Sequence, residues 1–241
     1  MIIFLQLLLA HLLGDFVFQP DKWVSDKKKR KLKSRYLYLH ILLHFALVCI
    51  IVRDIGFIGA AVLLALVHGL IDIIKLYAQN NRTERGWFIF DQFLHLLTLI
   101  VAALIWSDIN LANYEFDARF WVYSPAVILL TTPASVIIKK VISIWTPDEN
   151  GTKEADLQNA GKYIGILERL FVFFFIMTGY FTSIGFLMAA KSIFRFGDLT
   201  KSNDRKLTEY VLIGTLMSFG LAIATGFCAK YALKFMCLFP V

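Results

Sequence analysis

Several things are scarce in this sequence of 241 residues, and each scarcity removes a class of protein. Cysteine occurs three times, at Cys49, Cys228 and Cys237, in or beside apolar segments and without the spacing of a disulfide framework or a thiolate metal site. No basic stretch precedes the first apolar run, MIIFLQ, and no small-residue cleavage site follows it, so that run reads as a retained helix rather than a signal peptide. No internal repeat of roughly 20 to 50 residues is evident, which argues against a solenoid. Little polar sequence remains for a separate aqueous domain. Histidine is confined to the first hundred residues, so any imidazole chemistry belongs there.

What is present is apolar. Hydrophobic residues make up 58% of the chain and the mean hydropathy is +0.65, too apolar for a soluble domain. Membrane-crossing helices need roughly 20 apolar residues. Candidate segments run over 2–19, 36–53, 56–78, 88–106, 122–144, 163–188 and 209–229. The expected fold is all-α: a polytopic transmembrane helical bundle with six or seven membrane segments. A four-helix unit over 1–106 and a C-terminal transmembrane unit over 107–241 are expected, and the polar stretch 145–162 is where the chain could divide.

The net charge of +7 is concentrated at Lys22 and in KKKRKLKSR, which ends at Arg35. Such a run suggests nucleic acid, but no aromatic residues interleave with the charges to stack on bases. Between two spans it reads as a cytoplasmic topology signal in contact with anionic membrane lipid. Placing 20–35 in the cytoplasm also places the loop of Lys75, Arg82 and Arg85 there. The loop from Ser107 to Trp121, with Asp108, Glu115, Asp117 and only Arg119, then falls outside. Two further full crossings would put Lys191, Arg195, Lys201, Arg205 and Lys206 outside as well, against the rule. Either 122–144, which holds Pro125, Thr131, Thr132 and Pro133, is a broken or re-entrant helix, or Lys191 and Arg195 are buried functional groups.

Within the first hundred residues stand four pairs at spacing i, i+4: His11/Asp15, His40/His44, His68/Asp72 and Asp91/His95. That spacing puts both members on one face of a helix, one turn apart. The pairs use every histidine of the chain, in otherwise apolar segments where ionisable groups are costly and face a bundle interior or cavity. On antiparallel helices they also share a depth. Asp15, His40, Asp72 and Asp91 form a layer roughly 4 to 9 Å below the cytoplasmic helix ends, and His11, His44, His68 and His95 a second layer roughly 10 to 15 Å deep. A single such pair reads as an interhelical hydrogen bond. Four at one depth read as a site, to which Gln6, Gln19 and Gln92 are either further lining or interfacial residues.

Neutral imidazoles and carboxylates are metal ligands, and eight groups suffice for two ions, or for one ion with a carboxylate shell. Mixed His/Asp ligation points to Zn first, with Mn or Fe as the other candidates, and away from a Ca or Mg cage. The chemistry expected is metal-dependent hydrolysis of a phosphoester, lipid or similar bond, with one of Asp15, Asp72 or Asp91 as general base. The basic loop above the site suits a small-molecule or lipid substrate that is phosphorylated or otherwise anionic. In the C-terminal half, Lys162, Arg169, Lys191 and Arg195 are candidates to receive a phosphate, while Glu168/Arg169 reads equally as an internal pair. Rival readings are a divalent-metal transporter, a di-iron oxidoreductase and a non-catalytic membrane scaffold with a structural polar core. Transport predicts polar residues continuing towards the outer side, and the first four segments carry almost none there.

The succession HLLGDFVFQ, HILLH, HGLIDIIK and DQFLH resembles the bacterial membrane family catalogued as domain of unknown function 3307, over about residues 1–106. GKYIGILERLF and IGFLMAAKSIFRFGD resemble the C-terminal half found in the same proteins. The HxxxD pairs are distantly similar to LexA-regulated inner-membrane proteins described as metal-dependent hydrolases. The resemblance implies a multi-pass protein of the bacterial inner membrane, with His11, Asp15, His40, His44, His68, Asp72, Asp91 and His95 as its site residues and no established substrate.

Overall fold

The structure, a computed structural model, describes residues 1–106, 117–145, 155–199 and 205–238, with side chains at 1–106, 117–145, 161–193 and 209–236. Asp108 and Glu115 of the acidic loop, residues 146–154 of the polar stretch, Lys201, and the side chains of Arg195, Arg205 and Lys206 lie outside the described residues. Every regular element among the described residues is helical. This follows from composition: in a bilayer the backbone must satisfy its own hydrogen bonds, and a helix does so within one segment. The protein is an all-α membrane protein.

The chain forms two compact units, Met1–Pro125 and Ala126–Val241. In the first, α1 (Ile2–Leu12) runs into a π-helical turn (Leu13–Val17), and α2 (Asp21–Arg30) follows after an 82° bend. Then come α3 (Arg35–Val52), α4 (Ile58–Ala78) and α5 (Glu84–Ile105). α1 packs on α3 and α5, and α4 packs on the same two, so the four helices close into a ring. One half of that ring is a dry core of Ile3, Leu7, Leu47, Val48, Val52, Phe57 and Leu99, with Ala10, Ala60, Ala61 and Ala102 between them. Small residues bring α4 close to its neighbours: a Cβ on Gly69 would stand 2.4 Å from Ile41 Cδ1. The other half of the ring carries the four pairs.

α3, the segment Ile55–Ala78, α5 and the stretch Glu209–Met236 are each long and apolar enough to cross a membrane, and two bent pairs raise the number to six if each is one span. The first pair is α1 with α2. α2 is polar (DKWVSDKKKR), and Pro20, which disfavours helix at the residue before it, helps direct it away from the axis of α1. The second pair is α6 (Ala118–Leu130) and α7 (Thr132–Ile142), bent by 42°. The break falls at Thr131, two residues before Pro133, whose missing N–H fits the first turn of a new helix.

The second unit also contains α8 (Ala155–Thr178), α9 (Phe181–Leu199) and α10 (Arg205–Leu238), with α7, α8 and α10 packed on one another. Here one expected element differs: the apolar run 163–188 is not one helix. Gly179 adopts φ +85°, Tyr180 N–H donates to Phe175 O at 2.8 Å and Gly179 N–H to Ile176 O at 3.3 Å. That is the paired closure of a helix C-terminus around a left-handed glycine, and it separates α8 from α9.

Candidate metal centre

The four pairs meet in one buried cluster in the polar half of the first unit. Asp15 Oδ1 is its hub: Nε2 of His44, His40 and His68 lie 3.0, 3.3 and 3.4 Å from it. His40 Nε2 and His68 Nε2 stand 3.1 Å apart, a contact in which one ring donates and the other accepts. His11 Nε2 is 3.8 Å from Asp15 Oδ2, on the other side of the carboxylate. The deeper imidazoles stack on one another, His44 on His68 at 3.7 Å between centroids and His68 on His95 at 4.0 Å. Beside them is a cavity of about 20 Å³, whose walls include His11, His44, His68 and His95 together with Leu7, Val48 and Leu99. That is room for about one water molecule.

Local sequence explains how Asp15 reaches the hub. The π turn closes with Phe18 N–H donating to Leu13 O at 2.8 Å, which adds a residue to the turn and changes the direction in which Asp15 points. Within that turn Gly14 leaves the space the His44 ring fills, since a Cβ there would stand 2.5 Å from His44 Nε2. The Gln92 amide then fixes the carboxylate, donating to Asp15 Oδ2 at 3.1 Å and to Asp91 Oδ2 at 3.2 Å, with its Oε1 3.4 Å from His11 Nε2. Gln19 Nε2 lies 2.9 Å from His40 Nδ1. Gln92 and Gln19 therefore line the site. Gln6 is buried in α1 with its Oε1 unpartnered.

Two lysines complete the cluster, and sequence reasoning assigned neither of them to it. Lys27 Nζ donates to Asp72 Oδ2 at 2.7 Å and Lys75 Nζ to Asp91 Oδ2 at 2.6 Å. Lys75 was legible, being three residues beyond Asp72 and seven beyond His68 on the same helical face. Lys27 was not, because it is one of a run of basic residues that read as a topology signal. It is 5% exposed because α2 crosses the polar end of the ring. α2 is held there by Trp23 stacked on Tyr36 at 5.4 Å and by an ion pair between Lys28 and Glu84 at 2.8 Å. Three aspartates against two lysines leave one uncompensated negative charge, and Asp15 is the carboxylate gripped by imidazoles and an amide instead of an ammonium.

Ligand atoms of His11, Asp15, His44 and His68 all lie within 4.8 Å of one another, as do those of His40, His68 and Asp72, and of Asp72, Asp91 and His95. Asp91 Oδ1 and both ring nitrogens of His95 are buried without a hydrogen-bond partner. A buried carboxylate oxygen and an imidazole left without hydrogen bonds, in a nitrogen-and-oxygen ligand set, fit an ion of the Zn, Mn or Fe type.

The four candidate phosphate-binding residues belong to the second unit. Lys162 is exposed on α8. Arg169 is buried, its donors engaged by Leu130 O, Thr131 O, Ser135 Oγ and Ser218 Oγ. Lys191 is bonded to Glu168. Arg195 stands on α9, with its side chain outside the described residues.

No curated protein and no solved structure matches the chain. One family does, over residues 3–122, a span that contains all eight paired residues together with Lys27, Lys75 and Gln92. Through this N-terminal half the chain belongs to the family described as "Protein of unknown function (DUF3307)".

Proposed function

We propose that the protein is a metal-dependent hydrolase of the bacterial inner membrane, acting at the cytoplasmic side on a phosphoester, lipid or similar bond. The observation that carries the reading is the convergence of His11, Asp15, His44 and His68, from three helices, with ligand atoms within 4.8 Å of one another. These four would hold the ion, Zn first and Mn or Fe as alternatives. When bound, such an ion polarises a substrate oxygen and brings the pKa of a coordinated water towards neutrality.

The remaining groups orient and move protons. Gln92 holds Asp15 Oδ2, leaving Oδ1 turned to the imidazoles. His40 lies outside the four-residue set, with Nε2 3.3 Å from Asp15 Oδ1 and 3.6 Å from Asp72 Oδ2. One of Asp15, Asp72 and Asp91 would act as general base, and of these Asp15 and Asp72 both face His40 Nε2. Lys27, paired with Asp72, keeps that carboxylate charged and oriented. The closed apolar half of the ring, with Leu7, Val48, Phe57 and Leu99 packed together, favours a one-sided reaction site over a transport path.

The test is elemental analysis of the detergent-purified protein beside His44→Ala/His68→Ala, with hydrolysis of a phosphoester and of phospholipid vesicles assayed on both. One equivalent of metal and a turnover, both lost in the variant, support the reading. Absence of metal after reconstitution with added Zn, Mn and Fe, or turnover that survives the double substitution, overturns it. An iron centre absorbing in the visible would move the assignment to oxidation chemistry.

A further inference from the structure

The ligand set proposed above contains one carboxylate, Asp15, and leaves Asp91 and His95, beside Asp72 at the opposite pole of the cluster, without a role. At that pole Asp72 and Asp91 are held in the same way: each gives Oδ2 to a lysine, and each turns Oδ1 towards His95 Nε2, at 3.9 Å from Asp72 and 3.4 Å from Asp91. Asp91 and His95 are each 1% exposed, yet the 3.4 Å approach of Asp91 Oδ1 to His95 Nε2 lacks hydrogen-bond geometry and His95 Nδ1 has no hydrogen-bond partner. Native interiors rarely leave such atoms unpaired, because each forfeits its hydration. Two ligands about 2.1 Å from a tetrahedral ion stand about 3.4 Å apart, so the spacing around His95 Nε2 is that of a coordination shell.

Charge explains what keeps this pole closed. Asp72 and Asp91 are already balanced by the ammonium groups of Lys27 and Lys75, so a divalent ion here would leave an excess of two positive charges in a low-dielectric interior. Loss of one lysine reduces that excess to one, the same balance that a divalent ion beside Asp15 has. The two lysines differ in how they could leave. Lys75 is rooted in α4, a helix of the ring. Lys27 is carried by α2, which joins α1 through the bend at 18–20 and lies across the end of the ring, so Lys27 departs whenever α2 lifts.

We propose that Asp72, Asp91 and His95 form a second divalent-cation position, distinct from the His11/Asp15/His44/His68 set, which Lys27 of α2 holds closed. Two carboxylates and one imidazole make it a harder site than the first, suited to Mn²⁺ above Zn²⁺. The inference concerns cation binding and stands whether or not the first set catalyses hydrolysis.

The test compares full-length wild type, Lys27→Gln and Lys27→Gln/Asp91→Asn in detergent, each equilibrated with Mn²⁺ and freed of excess, by metal content per chain and by Tm. Lys27→Gln is expected to hold one more equivalent than wild type. Mn²⁺ is expected to raise its Tm, since a cation restores the counter-charge that Asp72 lost. Both effects vanish in the double variant. No gain in Lys27→Gln, or a gain that persists with Asp91→Asn, overturns the proposal. Lys75→Gln, which removes the ammonium from Asp91 Oδ2 and leaves only the Gln92 amide there, is the second variant if Lys27→Gln yields little folded protein. Repeating the comparison in the His44→Ala/His68→Ala background reads the second position with the first disabled, so failure of one is seen apart from failure of the other.

Discussion

In the second unit the buried guanidinium of Arg169 is surrounded by acceptors, whereas in the first the buried imidazoles are surrounded by one another. Arg169 Nε donates to Leu130 O at 2.7 Å, and Nη2 to Thr131 O at 3.1 Å and Ser135 Oγ at 2.7 Å, while Nη1 reaches Ser218 Oγ at 3.2 Å. Leu130 and Thr131 are the residues at which α6 gives way to α7, so the arginine serves carbonyls at that break. Around Asp15 Oδ1, by contrast, three Nε2 atoms converge on one oxygen, and at His95 neither nitrogen makes a hydrogen bond. A buried charge that donates to four oxygens, two of them backbone carbonyls, holds backbone together. A buried cluster of like ligand atoms crowded on one another is the feature on which the proposed metal centre rests.

This contrast can be broken most severely at Arg169. Arg169→Leu takes the side-chain donor from Leu130 O and Ser218 Oγ, while Thr131 O keeps Ser135 N–H and Oγ; at about 1–3 kcal/mol for each unsatisfied group, with the lost packing, it should cost on the order of 3–5 kcal/mol in thermal unfolding. Metal content per folded chain should not change; a variant that keeps its stability but loses metal would make Arg169 part of the site. Next in size is metal removal. At free metal about 100 times Kd, a chelator should lower the stability of the wild type by about 3 kcal/mol and leave His44→Ala/His68→Ala unmoved. Equal chelator effects on the two proteins would place the ion elsewhere.

A smaller effect is expected at Gly14. Gly14→Ala drives a Cβ to 2.5 Å from His44 Nε2, which should cost about 1–3 kcal/mol and weaken metal binding. Gly59→Ala meets nothing within 4 Å and should be neutral or stabilising by up to about 1 kcal/mol. Similar losses at the two glycines would show that general helix propensity, not the His44 contact, decides. The least effect belongs to Lys28→Ala, which removes an exposed pair with Glu84 and should cost at most about 1 kcal/mol. Its neighbour Lys27→Gln breaks a buried pair and leaves Asp72 without its counter-charge, which should cost about 3–5 kcal/mol. Comparable melting of the two variants would mean that α2 does not bury Lys27.

Much of the candidate site was readable from spacing. A repeat of i, i+4 in apolar sequence specifies a shared helical face, and four such pairs whose depths agree have little to face except each other. Gln92 read equally as a lining or an interfacial residue, and only its bonds to Asp15 and Asp91 make it lining. Other features were not readable, each for a physical reason. The π turn at Leu13–Val17 keeps an apolar pattern that an α-helix would also satisfy, so the extra residue in its hydrogen-bonded ring leaves no mark in composition. Gly179 stands in FFFIMTGYFTSIGF, where hydropathy is continuous, and only its positive φ ends the helix. Arg169 read equally as a phosphate ligand or a structural group, because its acceptors come from residues far away in sequence.

Sequence by itself determined that this is a helical membrane protein with its ionisable groups gathered on the inner faces of its first apolar helices. Helical period and hydropathy are local properties that every short segment carries. Tertiary structure alone decided which cations those groups meet. The 82° bend after the π turn lays α2 over the end of the ring and selects Lys27, from a run of equivalent basic residues, as the one that reaches Asp72. Where a charged side chain finds its partner depends on the direction in which a distant helix leaves its turn, and no local pattern records that direction.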